Sequence, residues 1–174
     1  MTGFRVEQAR AEDVPTVLDL VARAFPAEDL GPLVRDLTSG DADVLSLIAR
    51  KGNAPVGFAL FTRFRIRGVS TTSQAALLGP IAIDPRFQRR GFGARLIDAG
   101  IERLRRDGVG IVLLLGDPAY YSRHGFRPER KVRPPYDLPS RWQDAWQSRL
   151  LSDVRIEGKC ELPEAWMKKT YWAP

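Results

Sequence analysis

Residues 88–93 read Gln-Arg-Arg-Gly-Phe-Gly, and a helical pattern runs on from Gly91 to Asp107. A glycine turn that opens a helix presents backbone N–H groups with no intrahelical acceptor, which suits it to hold an anion. Gly91 and Gly93 let a ligand approach the backbone with no β-carbon in the way. Arg89 and Arg90 add flexible cations that can reach phosphate oxygens. Two familiar phosphate turns do not fit. A Walker loop ends in Gly-Lys-Ser/Thr, and no lysine follows Gly93. A dinucleotide fingerprint needs a third glycine where Leu96 stands.

The whole chain bounds what this turn serves. Its 174 residues are 44% hydrophobic and 28% charged, which is enough for one globular domain with its own core, read here as residues 1–174. No apolar run is long enough to cross a bilayer, and the opening MTGFRVEQAR lacks the charged-then-apolar order of a signal peptide. A single cysteine, Cys160, excludes an internal disulfide and a cysteine-based zinc site. Such usage fits a reducing cytoplasm, the expected location. A single histidine, His124, excludes a histidine-rich cluster, and no metal is expected. The net charge of +6 leaves a basic soluble surface, a nucleic acid or a polyanionic small ligand open. The arginines are scattered over 63–67, 86–90, 103–106 and 123–133 rather than gathered on one helix, so no nucleic-acid partner is expected.

The surrounding elements must position the turn. GFRVEQ (3–8) alternates as a strand. Val14, Val17, Leu18, Val21, Ala22 and Phe25 recur at helical spacing, with Glu12 and Asp13 where the helix dipole favours acids and Pro15 in the first turn. AEDLGPLVRDLTSG (27–40) reads as a helix broken at Gly31-Pro32. DVLSLIARKG and PVGFALFTRFRI form a hairpin turning at Gly52-Asn53, and GVSTTSQ (68–74) is a polar loop. AALLGPIAIDP (75–85) is an apolar strand carrying Gly79-Pro80, and proline cannot donate to a ladder, so its pairing is expected to open there. The helix after the turn buries Phe92, Leu96, Ile97, Ile101 and Leu104 and stops at Gly108. VGIVLLL (109–115) is apolar throughout, the mark of a strand covered on both faces, and it completes a βαβ unit. DPAYYSRHGF is a short helix with a glycine stop, RPERKVRPPYDLP a loop, and the tail supplies one more strand around Val154–Leu162.

Taken with its flanks, the turn resembles the Gln/Arg-x-x-Gly-x-Gly/Ala motif of the GCN5-related N-acetyltransferase (GNAT) family. The likeness runs from LLGPIAIDPRFQRRGFGARLI through GVGIVLLLGDPAYYSRHGF, and GDPAYYSRHGF is most similar to the bacterial YhbS-like branch. Its core is residues 75–127, whereas 128–174 match loosely. The resemblance implies an α/β fold with a mixed central sheet of about six or seven strands and about four helices. That sheet would splay between strand 75–84 and strand 109–115. It implies acetyl-coenzyme A as cosubstrate and direct acetyl transfer from the thioester to a primary amine of a small molecule or protein, with no covalent enzyme intermediate. The alternative it allows is a sensor or interaction module that binds acetyl-coenzyme A without turnover.

The resemblance also implies roles. Gln88, Arg89, Arg90, Gly91, Phe92, Gly93 and Ala94 would hold the coenzyme's phosphates. The backbone of Ile81, Ala82 and Ile83 would pair with the pantetheine arm and turn an N–H toward the thioester oxygen. Tyr121, four residues before Gly125, would protonate the departing thiolate, since phenol and thiol have pKa values of similar order. Tyr120 competes for that role, but successive helix residues point about 100° apart, so only one of the two faces the sulfur. Glu28 is a candidate base, with Asp29 beside it and Asp84 or a water chain as alternatives. Many family members place an asparagine ahead of this helix. Here the chain reads Gly116-Asp117-Pro118, with Asp117 a candidate helix cap. His124 reads as structural or exposed and Cys160 as a packed small hydrophobe. Pro134, Pro135, Tyr136, Trp142 and Trp146 leave open a lid, an aromatic wall, surface packing or a homodimer contact.

Overall fold

The computed structural model describes residues 3–68 and 72–172. The chain divides into two compact units, residues 1–62 with 78–102, and residues 63–77 with 103–174.

In the first unit β1 (Phe4–Gln8) pairs antiparallel with β2 (Val44–Lys51), and β2 pairs with β3 (Ala54–Arg67) across a turn at Gly52-Asn53. Between β1 and β2 lie α1 (Val14–Ala24) and α2 (Gly31–Ser39), which pack on each other. α1 buries Val17, Leu20 and Val21, and α2 buries Leu33, Val34 and Leu37, the stripe of an amphipathic helix. Leu20 takes the place expected for Ala22, which is exposed. The second helix is not broken. Gly31-Pro32 opens it, because a proline's missing N–H costs nothing in a first turn. Glu28 and Asp29 therefore lie in the turn ahead of α2 instead of opening the helix. β4 (Thr72–Ile83) starts within the stretch expected to be loop, whose residues 69–71 lie outside the described residues. From Leu78 onward β4 belongs to this unit, as does α3 (Phe92–Arg106) as far as Glu102. Leu96, Ile97 and Ile101 of α3 are buried as the spacing predicts.

In the second unit Ala75–Leu77 of β4 pair in parallel with Ile111–Leu113 of β5 (Ile111–Leu115). That register stops two residues before Gly79-Pro80, where the sequence predicts the pair to open. After β5 come α4 (Pro118–Tyr121), β6 (Arg127–Pro128), β7 (Val132–Arg133), β8 (Trp146–Leu150) and β9 (Gly158–Glu161). β8 pairs antiparallel with β5 along all of β5 and also takes β6; β9 pairs with β3 and, in parallel, with β7. The tail thus supplies two strands where one was expected, and Val154 is exposed outside both. Gln147, Ser148 and Arg149 hide the alternation of β8 in the sequence, yet Gln147 is fully buried. The stretch 127–139 carries the two short strands β6 and β7 instead of being loop throughout. With them the described residues form a mixed sheet of nine strands, where about six or seven are expected. Trp146 is a core residue, 2% exposed with its indole N–H donating to Val132 O at 2.8 Å, so it serves as neither lid nor surface packing.

Candidate active site

The glycine turn hangs from Asp84 at the end of β4. This carboxylate is 1% exposed and receives Arg86 N–H (2.9 Å), the Arg86 guanidinium (2.9 and 3.0 Å) and Arg23 of α1 (2.8 Å). The Arg86 hydrogen bonds hold its pKa down at about 2 against burial. So charged and so fully engaged, Asp84 is an anchor for the turn and a poor base. Asp84 N–H donates to Val56 O at 2.9 Å and Phe87 N–H to Asp84 O at 2.8 Å, fixing where the turn leaves the sheet. Gln88 folds back, its amide donating to Ile83 O at 3.2 Å.

Beyond Gln88 the backbone turns sharply. Arg89 has φ 58 and Gly91 φ 79, both left-handed, and the first of these is costly for a residue with a side chain. A β-carbon built on Gly91 meets nothing within 4 Å, so the space over it is open for a ligand. The first α3 hydrogen bond that starts from the turn runs from Arg95 N–H to Gly91 O at 3.2 Å. The N–H groups of Phe92, Gly93 and Ala94 come before it and have no acceptor within the helix. Converging donors, open space and the positive end of α3 are what a pyrophosphate requires. Phe92 stacks on Phe4 (4.6 Å, 3° between planes), with the Arg95 guanidinium 4.0 Å from the Phe4 ring centre. Arg90 lies 5.5 Å over Phe87. Those rings hold the helix start and its arginines in place, a contribution no local spacing announces. Of the strand residues, Ala82 is buried and Ile81 and Ile83 are half-buried. Glu28 is exposed and its N–H donates to Phe25 O at 3.1 Å.

Tyr121 stands in the second unit, at the end of α4. Asp117 caps that helix, accepting from Ala119 N–H at 2.9 Å, as the sequence predicts. Gly125 stops it with φ 80. The Tyr121 ring lies against the Gly116 backbone, where a β-carbon would come within 2.5 Å of it. Phe126 and Tyr120 meet it edge-on at 5.9 and 4.9 Å. Burial raises the Tyr121 phenol well above its ordinary value of 10.0, with Tyr120 and Asp117 adding to the effect. It therefore holds its proton through the neutral range, and the near match of phenol and thiol expected from the sequence does not hold for the packed ring. The half-buried Tyr120 is raised by burial as well, and its ring also contacts His124 at 4.9 Å. Gln147 donates to Gly116 O (3.1 Å) and Ala145 O (3.4 Å), while its Oε1 is buried with no partner among the described residues. Cys160 is 5% exposed, and burial pushes its thiol up to about 12, so it is no nucleophile at neutral pH.

Comparison with known proteins agrees with this geometry. The sequence profile of the acetyltransferase (GNAT) family matches residues 14–126. YjhQ of Escherichia coli K12, an uncharacterized N-acetyltransferase, is 34% identical over 145 residues, 80% of each chain. YhbS of the same strain, likewise an uncharacterized N-acetyltransferase, is 30% identical over 156 residues, 87% of this chain and 90% of that one. The crystal structure of the Escherichia coli YhbS protein in complex with CoA superposes with a TM-score of 0.85 at 26% identity, covering 97% of this chain and 94% of that one. A GNAT acetyltransferase from Brucella melitensis in complex with acetyl-CoA shares the fold, with a TM-score of 0.77 at 24% identity over 95% of this chain and 99% of that one. A profile match over most of the chain, joined to a YhbS-like sequence and fold, makes this chain a member of the GNAT acetyltransferase family.

Proposed function

We propose that the chain transfers an acetyl group from acetyl-coenzyme A to a primary amine of a small molecule or protein. The observation that carries this reading is the turn 88–94: left-handed backbone at Arg89 and Gly91, open space over Gly91, and the leading N–H groups of α3. The CoA and acetyl-CoA complexes of the related structures support the same cosubstrate. Bound acetyl-coenzyme A supplies an activated thioester, and this chain's residues do the rest.

The backbone of Arg89 to Ala94 neutralises the phosphates, with Arg89 and Arg90 as side-chain cations and Gln88 bracing the turn. Ile81, Ala82 and Ile83 offer main-chain groups to the pantetheine arm, and one N–H polarises the thioester oxygen. Tyr121 keeps a proton at neutral pH and gives it to the departing sulfur. The exposed Glu28 takes a proton from the incoming amine. Holding both reactants in line provides much of the acceleration.

Calorimetric titration with acetyl-coenzyme A, beside a Gly91→Trp variant whose melting curve is checked, tests the reading. Binding by the wild type that is lost in a folded variant supports it. A wild type that binds no acetyl-coenzyme A sinks it. An amine panel then separates turnover from binding alone.

A further inference from the structure

The second unit contains a cleft of about 590 Å³ that no step above uses. That volume suits a small organic ligand. Its walls are fixed. The Tyr136 hydroxyl donates to Met167 O at 2.7 Å, and the Trp146 indole donates to Val132 O at 2.8 Å. With Pro134 and Pro135 these rings supply the apolar part of the lining, Trp146 and Pro135 themselves lying almost wholly buried.

The charges around the cleft fall into two groups. Some are committed to the fold. Glu129 accepts from Lys131 N–H (2.6 Å), Val132 N–H (3.0 Å) and the Ser148 hydroxyl (2.5 Å). Arg130 donates to Gln143 O at 2.8 Å and binds the Asp144 carboxylate. Others are uncommitted. Arg133 and Lys159 sit directly opposite each other in the parallel β7–β9 register, both exposed, and neither has a carboxylate partner among the described residues. Two like charges placed side by side repel, so the arrangement costs free energy until an anion bridges them. Asp137, also exposed and unpaired among the described residues, lines the same cleft. The uncommitted charge is therefore two cations against one anion, which matches a monoanion better than a dianion.

We propose that this cleft binds a small organic carboxylate with a flat apolar body, its carboxylate bridging Arg133 and Lys159 and its body against Tyr136 and the two prolines. The inference does not depend on acetyl transfer. The full chain without acetyl-coenzyme A is titrated with phenylacetate, phenyl phosphate and benzyl alcohol, followed by the amide and indole N–H signals in NMR spectra. Phenylacetate is expected to give saturable shifts at the amides around Val132 and Tyr136 and at the Trp146 indole. Benzyl alcohol and phenyl phosphate are expected to bind at least about tenfold more weakly, as is phenylacetate to an Arg133→Gln/Lys159→Gln double variant. Both substitutions are at exposed positions, so the fold tolerates them. Absence of saturable shifts, benzyl alcohol binding as tightly as phenylacetate, tighter binding of phenyl phosphate, or a double variant that binds phenylacetate undiminished would each overturn the proposal.

Discussion

The turn at 88–94 and the cleft between 129 and 159 both suit anions, but they are made differently. The turn works through backbone: left-handed residues, a helix start and the space over one glycine, all within seven consecutive residues. The cleft works through side chains gathered by the pairing of β7 with β9, 26 positions apart in register. A backbone site depends on residue types that permit a conformation. A side-chain site depends on which strands happen to meet.

Substitutions should separate the two, and the largest effect belongs to the turn. Gly91→Trp is expected to weaken acetyl-coenzyme A binding by at least about a hundredfold, roughly 3 kcal/mol, because it fills the open space and penalises φ 79. The Arg133→Gln/Lys159→Gln double variant is expected to leave that affinity within about twofold, because neither residue belongs to the turn. Calorimetry on both variants measures the contrast, and an equal loss in the two would abolish it.

Tyr121→Phe comes next. It removes a proton donor and leaves the ring packing, so kcat should fall about a hundredfold while acetyl-coenzyme A affinity holds. Steady-state rates against calorimetric Kd decide it, and a parallel fall in affinity would mean that the ring serves binding.

Asp84→Asn acts on the support beneath the turn. It should cost about 2 kcal/mol in urea unfolding, since the buried carboxylate holds Arg23 and Arg86 together. The same residue sets an acid limit. Its folded pKa of about 2 lies below the unfolded 3.8, so about 2 kcal/mol of stability is present above that range and is lost as pH falls from about 4 toward 2. The variant should show a flatter stability profile over that window.

The smallest effect is at Arg89. Arg89→Gly relieves a left-handed side-chain conformation and should raise stability by about 0.5–1 kcal/mol, while affinity falls only a few-fold through the lost cation. A large loss of affinity would move the grip from backbone to side chain and weaken the contrast.

The same contrast explains what could be read in advance. The turn, α3, the apolar β5, the Asp117 cap and the Gly125 stop follow from local spacing and conformational preference, and each stands where the sequence puts it. β8 did not declare itself, because a buried glutamine stands where alternation calls for an apolar residue and is made tolerable by carbonyls of Gly116 and Ala145. Gly31-Pro32 serves equally in sequence as a break or as a helix start, and in α2 it is the start. In the sequence Asp84 reads only as an alternative base. Its partner Arg23 is 61 positions away, and only the folded chain brings them together. The Phe4–Phe92 stack that steadies the start of α3 is nonlocal in the same way.

Cys160 gives the molecule a reporter of its own. It is the one thiol in the chain, held in β9 between β3 and β7. A labelling reagent reaches it only when that strand lifts away. The rate of modification therefore counts openings of this part of the sheet, and its ratio to the rate for an unfolded thiol is a protection factor. Lys159 is its chain neighbour, so any ligand that bridges Lys159 to Arg133 must lower the frequency of those openings. Occupancy of the cleft can be followed in this way from one chemical clock, with no added label and no enzymatic assay.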